Sequence, residues 1–98
     1  MDDALFERVM AALRRVPDPE LAEGIVDLGL VQSIDEVDGV LQVRLIPTSA
    51  TCPMAEVLVD DVQAELARLH PQVEVQLDWA ATWTPDRMAP ALRQRLGW

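Results

Sequence analysis

Val73, Val75, Leu77 and Trp79 alternate with Glu74, Gln76 and Asp78. A strict period of two describes a strand buried on one side and wet on the other. It calls for a sheet with one solvated face and helices over the other. Val73, Val75 and Leu77 should then meet the helices, and Glu74, Gln76 and Asp78 should point away from them. Leu41, Val43 and Leu45, separated by Gln42 and Arg44, repeat the pattern until Pro47 ends it. The Asp38-Gly39 pair just before that run is a strong reversal signal.

Helical spacing supplies the other layer. Leu5, Val9, Leu13 and Val16 step by three or four residues, and Phe6, Met10 and Ala12 widen the stripe. This reads as an amphipathic helix over about residues 2–15. Val16-Pro17-Asp18-Pro19-Glu20 stops it, because a residue before proline is pushed out of the helical region. Asp18 could cap a short new turn there. Met54, Leu58, Val62, Leu66 and Leu69 mark a second helix. Pro53 suits its first position, where a missing N–H costs nothing. His70-Pro71 closes it. Between these helices, the apolar and β-branched run Ile25 to Val31 should lead into a strand ending near Asp35. After Trp83-Thr84-Pro85, Pro90 can start a short last helix carrying Leu92 and Leu96, stopped by Gly97. The order is helix, strand, strand, helix, strand, short helix. The expected class is α+β, a two-layer sandwich of three strands with helices on one face. Residues 1–98 form one domain.

Composition narrows the partners. Seventeen acids oppose eight arginines, there is no lysine, and the formal net charge is −9. A phosphate-tracking protein needs a basic stripe, so nucleic acid is excluded as the expected partner. No apolar run approaches the roughly 18 residues of a membrane span. The acidic start, Met1-Asp2-Asp3, is unlike a secretory peptide, and a cytoplasmic location is expected. The single cysteine, Cys52, excludes an internal disulfide and a four-thiolate site within one chain.

Cys52 stands where the second helix begins. Half a positive charge from the helix macrodipole and unpaired N–H groups favour a thiolate there, the form that binds metal or attacks electrophiles. Nearby acids oppose that shift, and a buried structural cysteine is the competing reading. His70 is the obvious base for such a thiol. About 27 Å of helix would separate the two, so it is assigned a structural role. Asp27 and Gly29 read as architectural, the acid bonding loop amides and the glycine allowing close backbone approach. Trp79, Trp83 and Trp98 read as core and interface anchors.

Several segments in combination resemble a known family. They are Asp18-Pro19-Glu20, the stretch Ile25-Val26-Asp27-Leu28-Gly29-Leu30-Val31, and the loop Thr48-Ser49-Ala50-Thr51-Cys52-Pro53. Trp83-Thr84-Pro85 and the Met88 to Gly97 end complete the set. From about Val9 to Gly97 the chain resembles the SufT/PaaD-like family of small iron–sulfur cluster assembly proteins. That family also includes the N-terminal domain of some cluster-carrier ATPases. It departs from the family's pattern at Ala50-Thr51, Ala81-Thr82 and Ala89.

The resemblance implies a functional site of Cys52, Asp18, Glu20 and Thr48. Cys52 would be a metal ligand shared with a second chain or a partner. Asp18 and Glu20 read either as a helix cap and a solvated neighbour, or as oxygen ligands and proton acceptors for the thiol. Thr48 either ends a strand or bonds the thiolate. The implied role is non-catalytic. An iron–sulfur cluster, or iron, would be held transiently and passed between a scaffold and recipient apoproteins, with a homodimer as one way to complete the ligands. PaaD-like members imply a variant that matures an oxygenase of phenylacetate breakdown. Two other readings stay open, a small thiol enzyme with Cys52 as nucleophile and an adaptor whose cysteine is incidental.

Overall fold

The alternating run is β3, Val73–Leu77, and it lies beside β2, Val40–Leu45, the middle strand of a three-stranded sheet whose other edge is β1, Val31–Val37. The computed structural model describes residues 1–18, 22–47 and 52–97, and the side chains of 52–54 and all of residue 98 fall outside that description. β2 and β3 run parallel, pairing Leu41 with Val73, Val43 with Val75 and Leu45 with Leu77 on the apolar face. Gln42, Arg44, Glu74 and Gln76 occupy the other face and are exposed. Asp78 departs from expectation. It lies beyond the strand, and its carboxylate accepts from the N–H groups of Ala80 and Ala81 at 3.0 and 3.3 Å. Trp79 therefore leaves the alternation and is 54% exposed, so it is no core anchor.

β1, Val31–Val37, pairs antiparallel with β2 through the turn at Asp38-Gly39. Both turn residues have positive φ, 52° and 79°, the conformation of a two-residue primed turn that matches strand twist. The register slips between Val31 and Ser33, where two steps on β1 meet one on β2. This bulge puts Val31 and Ile34 on the same face although they are three apart. It also puts Glu36 on the helix side at the open edge, opposite Leu41.

α1, Asp3–Leu13, is capped by Asp2, whose carboxylate accepts the Leu5 N–H at 2.7 Å. Leu5, Val9, Ala12 and Leu13 are buried, and Phe6, placed in the stripe by its spacing, is 43% exposed. α3, Cys52–Leu66, buries Leu58, Val62 and Leu66. It ends one turn before His70-Pro71, with Leu69 and His70 N–H groups bonded back to the Leu66 carbonyl. The largest difference from the sequence expectation lies at Ile25–Leu28. This is a one-turn helix, α2, and the strand starts only at Val31. A 3₁₀ turn at Pro85–Arg87 and α4, Pro90–Leu96, complete the chain, and Gly97 stops α4 at φ 76°.

Candidate functional site

Val31 opens β1 opposite Leu45, and Leu45 and Leu77 are the paired last residues of β2 and β3. One end of the sheet thus holds the start of β1 and the finish of the other two strands. Just beyond it the Ile46 N–H donates to the Leu30 carbonyl at 2.7 Å. The span 47–51 leads from there to Cys52, the first residue of α3. The expectation that the cysteine opens the second helix holds. No acidic residue stands in the first turn of α3, so nothing in that turn offsets the positive end of the helix.

The Asp18 loop is closed at its base. Pro17 and Gly24 form an isolated antiparallel bridge, and the Ile25 N–H donates to the Val16 carbonyl at 3.0 Å. Inside that bridge the Asp18 N–H donates to the Glu23 carbonyl, and the Ala22 N–H to the Asp18 carbonyl, both at 2.8 Å. Ala22 takes φ 58°, a left-handed conformation that alanine seldom adopts. Asp18 is only 3% exposed, the one buried charged residue among those described. Acids are almost never fully buried unless paired. Asp18 is thus enclosed at the base of the loop. α2 begins at Gly24 with no side-chain cap at all.

Gly29 behaves as anticipated. Its φ is 77°, and a Cβ there would lie 2.1 Å from the Arg87 carbonyl oxygen. Asp27 engages a loop amide through its main chain, since its carbonyl accepts the Ala89 N–H at 2.7 Å while the residue is exposed. Trp83 is half-buried and donates its indole N–H to the Leu28 carbonyl at 2.7 Å. His70 lies at the other end of α3. Its Nδ1 accepts the Gln72 N–H at 3.1 Å, which leaves Nε2 to carry the proton toward Glu36 Oε2 at 2.7 Å. About 22 Å of helix separates the two ends of α3.

Glu20 and Thr48 lie outside the described residues, as do the side chain of Cys52 and Trp98, so the expectation that Asp18 or Glu20 lies near the Cys52 loop does too. Among the described residues no three His, Cys, Asp or Glu side chains are grouped to hold a metal ion. Sequence reasoning missed Glu23 and Arg95. Their ion pair, at 2.5 Å, joins the Asp18 loop to α4. Opposite charges seventy-two residues apart carry no local signal.

The matching family model is described as iron–sulfur cluster assembly protein and covers residues 7–77. The chain belongs to the iron–sulfur cluster assembly protein family. Its similarity to an Fe-S protein maturation auxiliary factor of Bacillus subtilis, YitW, is 43% identity across 99% of this chain and 98% of that one. The Fe-S protein maturation auxiliary factor SufT of Staphylococcus aureus is 40% identical over 84% of this chain and 97% of its own. A crystal structure of a domain of unknown function from Bacillus anthracis superposes with a TM-score of 0.86 at 32% identity, covering 97% and 93% of the two chains. The α+β fold is therefore that of the family. No helix among the described residues is long and apolar enough to cross a membrane.

Proposed function

We propose that this member of the iron–sulfur cluster assembly family is a non-catalytic maturation factor that passes iron or a nascent cluster to apoproteins through Cys52. The observation carrying this reading is the position of the chain's single cysteine at the first residue of α3. That helix start follows the end of the sheet to which the α2 turn is tied. A thiol there is biased toward thiolate, and thiolate is what ligates iron. The cargo wants four ligands, so one chain offers an incomplete set. The missing ligands come from a second copy, a scaffold or the recipient's own cysteines. Incomplete ligation suits transfer better than storage, since a borrowed ligand exchanges readily.

The thiol-enzyme alternative would rest on Asp18 or Glu20 as its base, with no help from the histidine. His70 is engaged at both ring nitrogens, at the far end of α3. Anaerobic incubation of the full chain with ferrous iron and sulfide tests the proposal, with Cys52→Ser alongside and light scattering to follow size. The expected result is cluster absorbance that depends on Cys52 and accompanies a dimer or a complex with an added apoprotein. Absorbance of equal strength in a Cys52→Ser monomer contradicts it.

A further inference from the structure

The one-turn helix α2 has more carbonyls to satisfy than a single turn can manage, because the last four carbonyls of any helix lack partners within it. Their fate can be followed atom by atom. The Ile25 and Val26 carbonyls accept from Leu30 and Gly29 N–H groups at 3.0 and 3.1 Å, the usual closure over a left-handed glycine. The next three are taken, one each, by a single distant segment. The Asp27 carbonyl accepts from the Ala89 N–H at 2.7 Å, that of Leu28 from the Trp83 indole at 2.7 Å, and that of Gly29 from Arg87 Nε at 2.9 Å. The fit is close enough that the Arg87 carbonyl fills the place of a Gly29 Cβ. Met88 and Leu92, both buried, anchor the segment in the core. One turn further along, Arg95 pairs with Glu23, whose carbonyl accepts the Asp18 N–H.

We infer that residues 83–95 act as a clasp, in which Trp83, Arg87 and Arg95 are positioning residues that hold the α2 turn and the Asp18 loop in place at the cysteine end of the sheet. The clasp lies wholly beyond the residues 7–77 that the family model matches. Its functional importance rests on the proposed maturation role. Its mechanical action does not. Arg87 and Trp83 fix the helical turn, and Arg95 fixes the loop before it. A lone turn would otherwise not persist, because nucleating a helix costs more than one hydrogen bond returns. A left-handed Ala22 likewise persists only where its surroundings over-determine it.

Amide hydrogen exchange on the full-length protein tests the clasp, with melting temperature measured alongside. Arg95→Ala should speed exchange at Asp18 and Ala22 by about twofold to fivefold, as befits an exposed ion pair. The charge-swapped Glu23→Arg/Arg95→Glu protein should restore it. Trp83→Phe, which removes the N–H donor together with the five-membered ring and keeps a six-membered aromatic ring, should speed exchange at Gly29 and Leu30 by about tenfold. Core amides such as Val43 should accelerate by no more than the measured loss of global stability requires in either variant. Unchanged exchange at all four amides overturns the clasp. Maturation of an iron–sulfur enzyme in cells carrying Arg95→Ala separates this inference from the functional reading. Local loosening with full maturation leaves the clasp standing and counts against a role for the Asp18 loop. Local loosening with reduced maturation, rescued by the charge swap, supports both.

Discussion

The two ends of α3 hold the only cysteine and the only histidine of the chain, and they are built in opposite ways. The histidine end is simple, with one near and one distant partner. Gln72 bonds one ring nitrogen, and Glu36, at the edge of the sheet, bonds the other. The cysteine end is drawn from across the chain. The bridged loop after α1, the α2 turn, the end of β2 and the segment after β3 are tied to one another by main-chain carbonyls. Two reactive residue types in one small domain therefore have different fates. His70 is consumed in closing an inward-facing edge acid, a device that also discourages edge-to-edge pairing. Cys52 opens a helix beside a scaffold whose internal bonds converge from distant parts of the sequence. Chemistry follows placement more than residue type.

Four substitutions sharpen this contrast. Gly29→Ala should have the largest effect, at least about 3 kcal/mol, since the new Cβ meets backbone and the φ is left-handed. Urea unfolding measures it, and a loss under about 1 kcal/mol would show that the clasp does not press on this turn. Val75→Asp should cost nearly as much, about 3 kcal/mol, by burying a charge beneath the helices. A loss under about 1 kcal/mol would mean that the strand register is wrong. Trp83→Phe should lower stability by about 1–2 kcal/mol, the usual loss when a part-buried carbonyl is left without its donor. An unchanged urea midpoint would remove the indole from the account of α2. His70→Gln should cost least, under about 1 kcal/mol, and leave iron–sulfur enzyme activity in complemented cells intact. Lost activity in that well-folded variant would revive the histidine as a functional group.

What could be read from the sequence was what local chemistry decides. Val73 to Leu77 alternates because one face is wet, and Asp38-Gly39 turns because two consecutive positive φ angles suit those residues. Cys52 at a helix start was legible from Pro53. Distant contacts settled the rest. Ile25 to Leu28 has the composition of a buried strand, which a short apolar run cannot distinguish from a helical turn. It coils because donors some sixty residues away take its carbonyls. The β1 bulge broke the alternation that would have marked Val31 and Ile34 as neighbours on one face. Trp79 carried a core pattern one step past the strand's end and emerged exposed. The burial of Asp18 arises from closure between Pro17 and Gly24, and neither residue advertises that pairing.

The central claim is that Cys52 carries the cargo and that the rest of the cysteine end only presents it. Replacing Cys52 with serine in cells that depend on this chain tests it most directly, with iron–sulfur enzyme activity and the urea midpoint of the purified variant measured together. A first-turn serine fits a helix start well, so the midpoint should stay within about 1 kcal/mol of the parent. Enzyme maturation should fall to the level of cells lacking the chain. Full maturation by the folded Cys52→Ser protein would contradict the account and leave an adaptor whose cysteine is incidental.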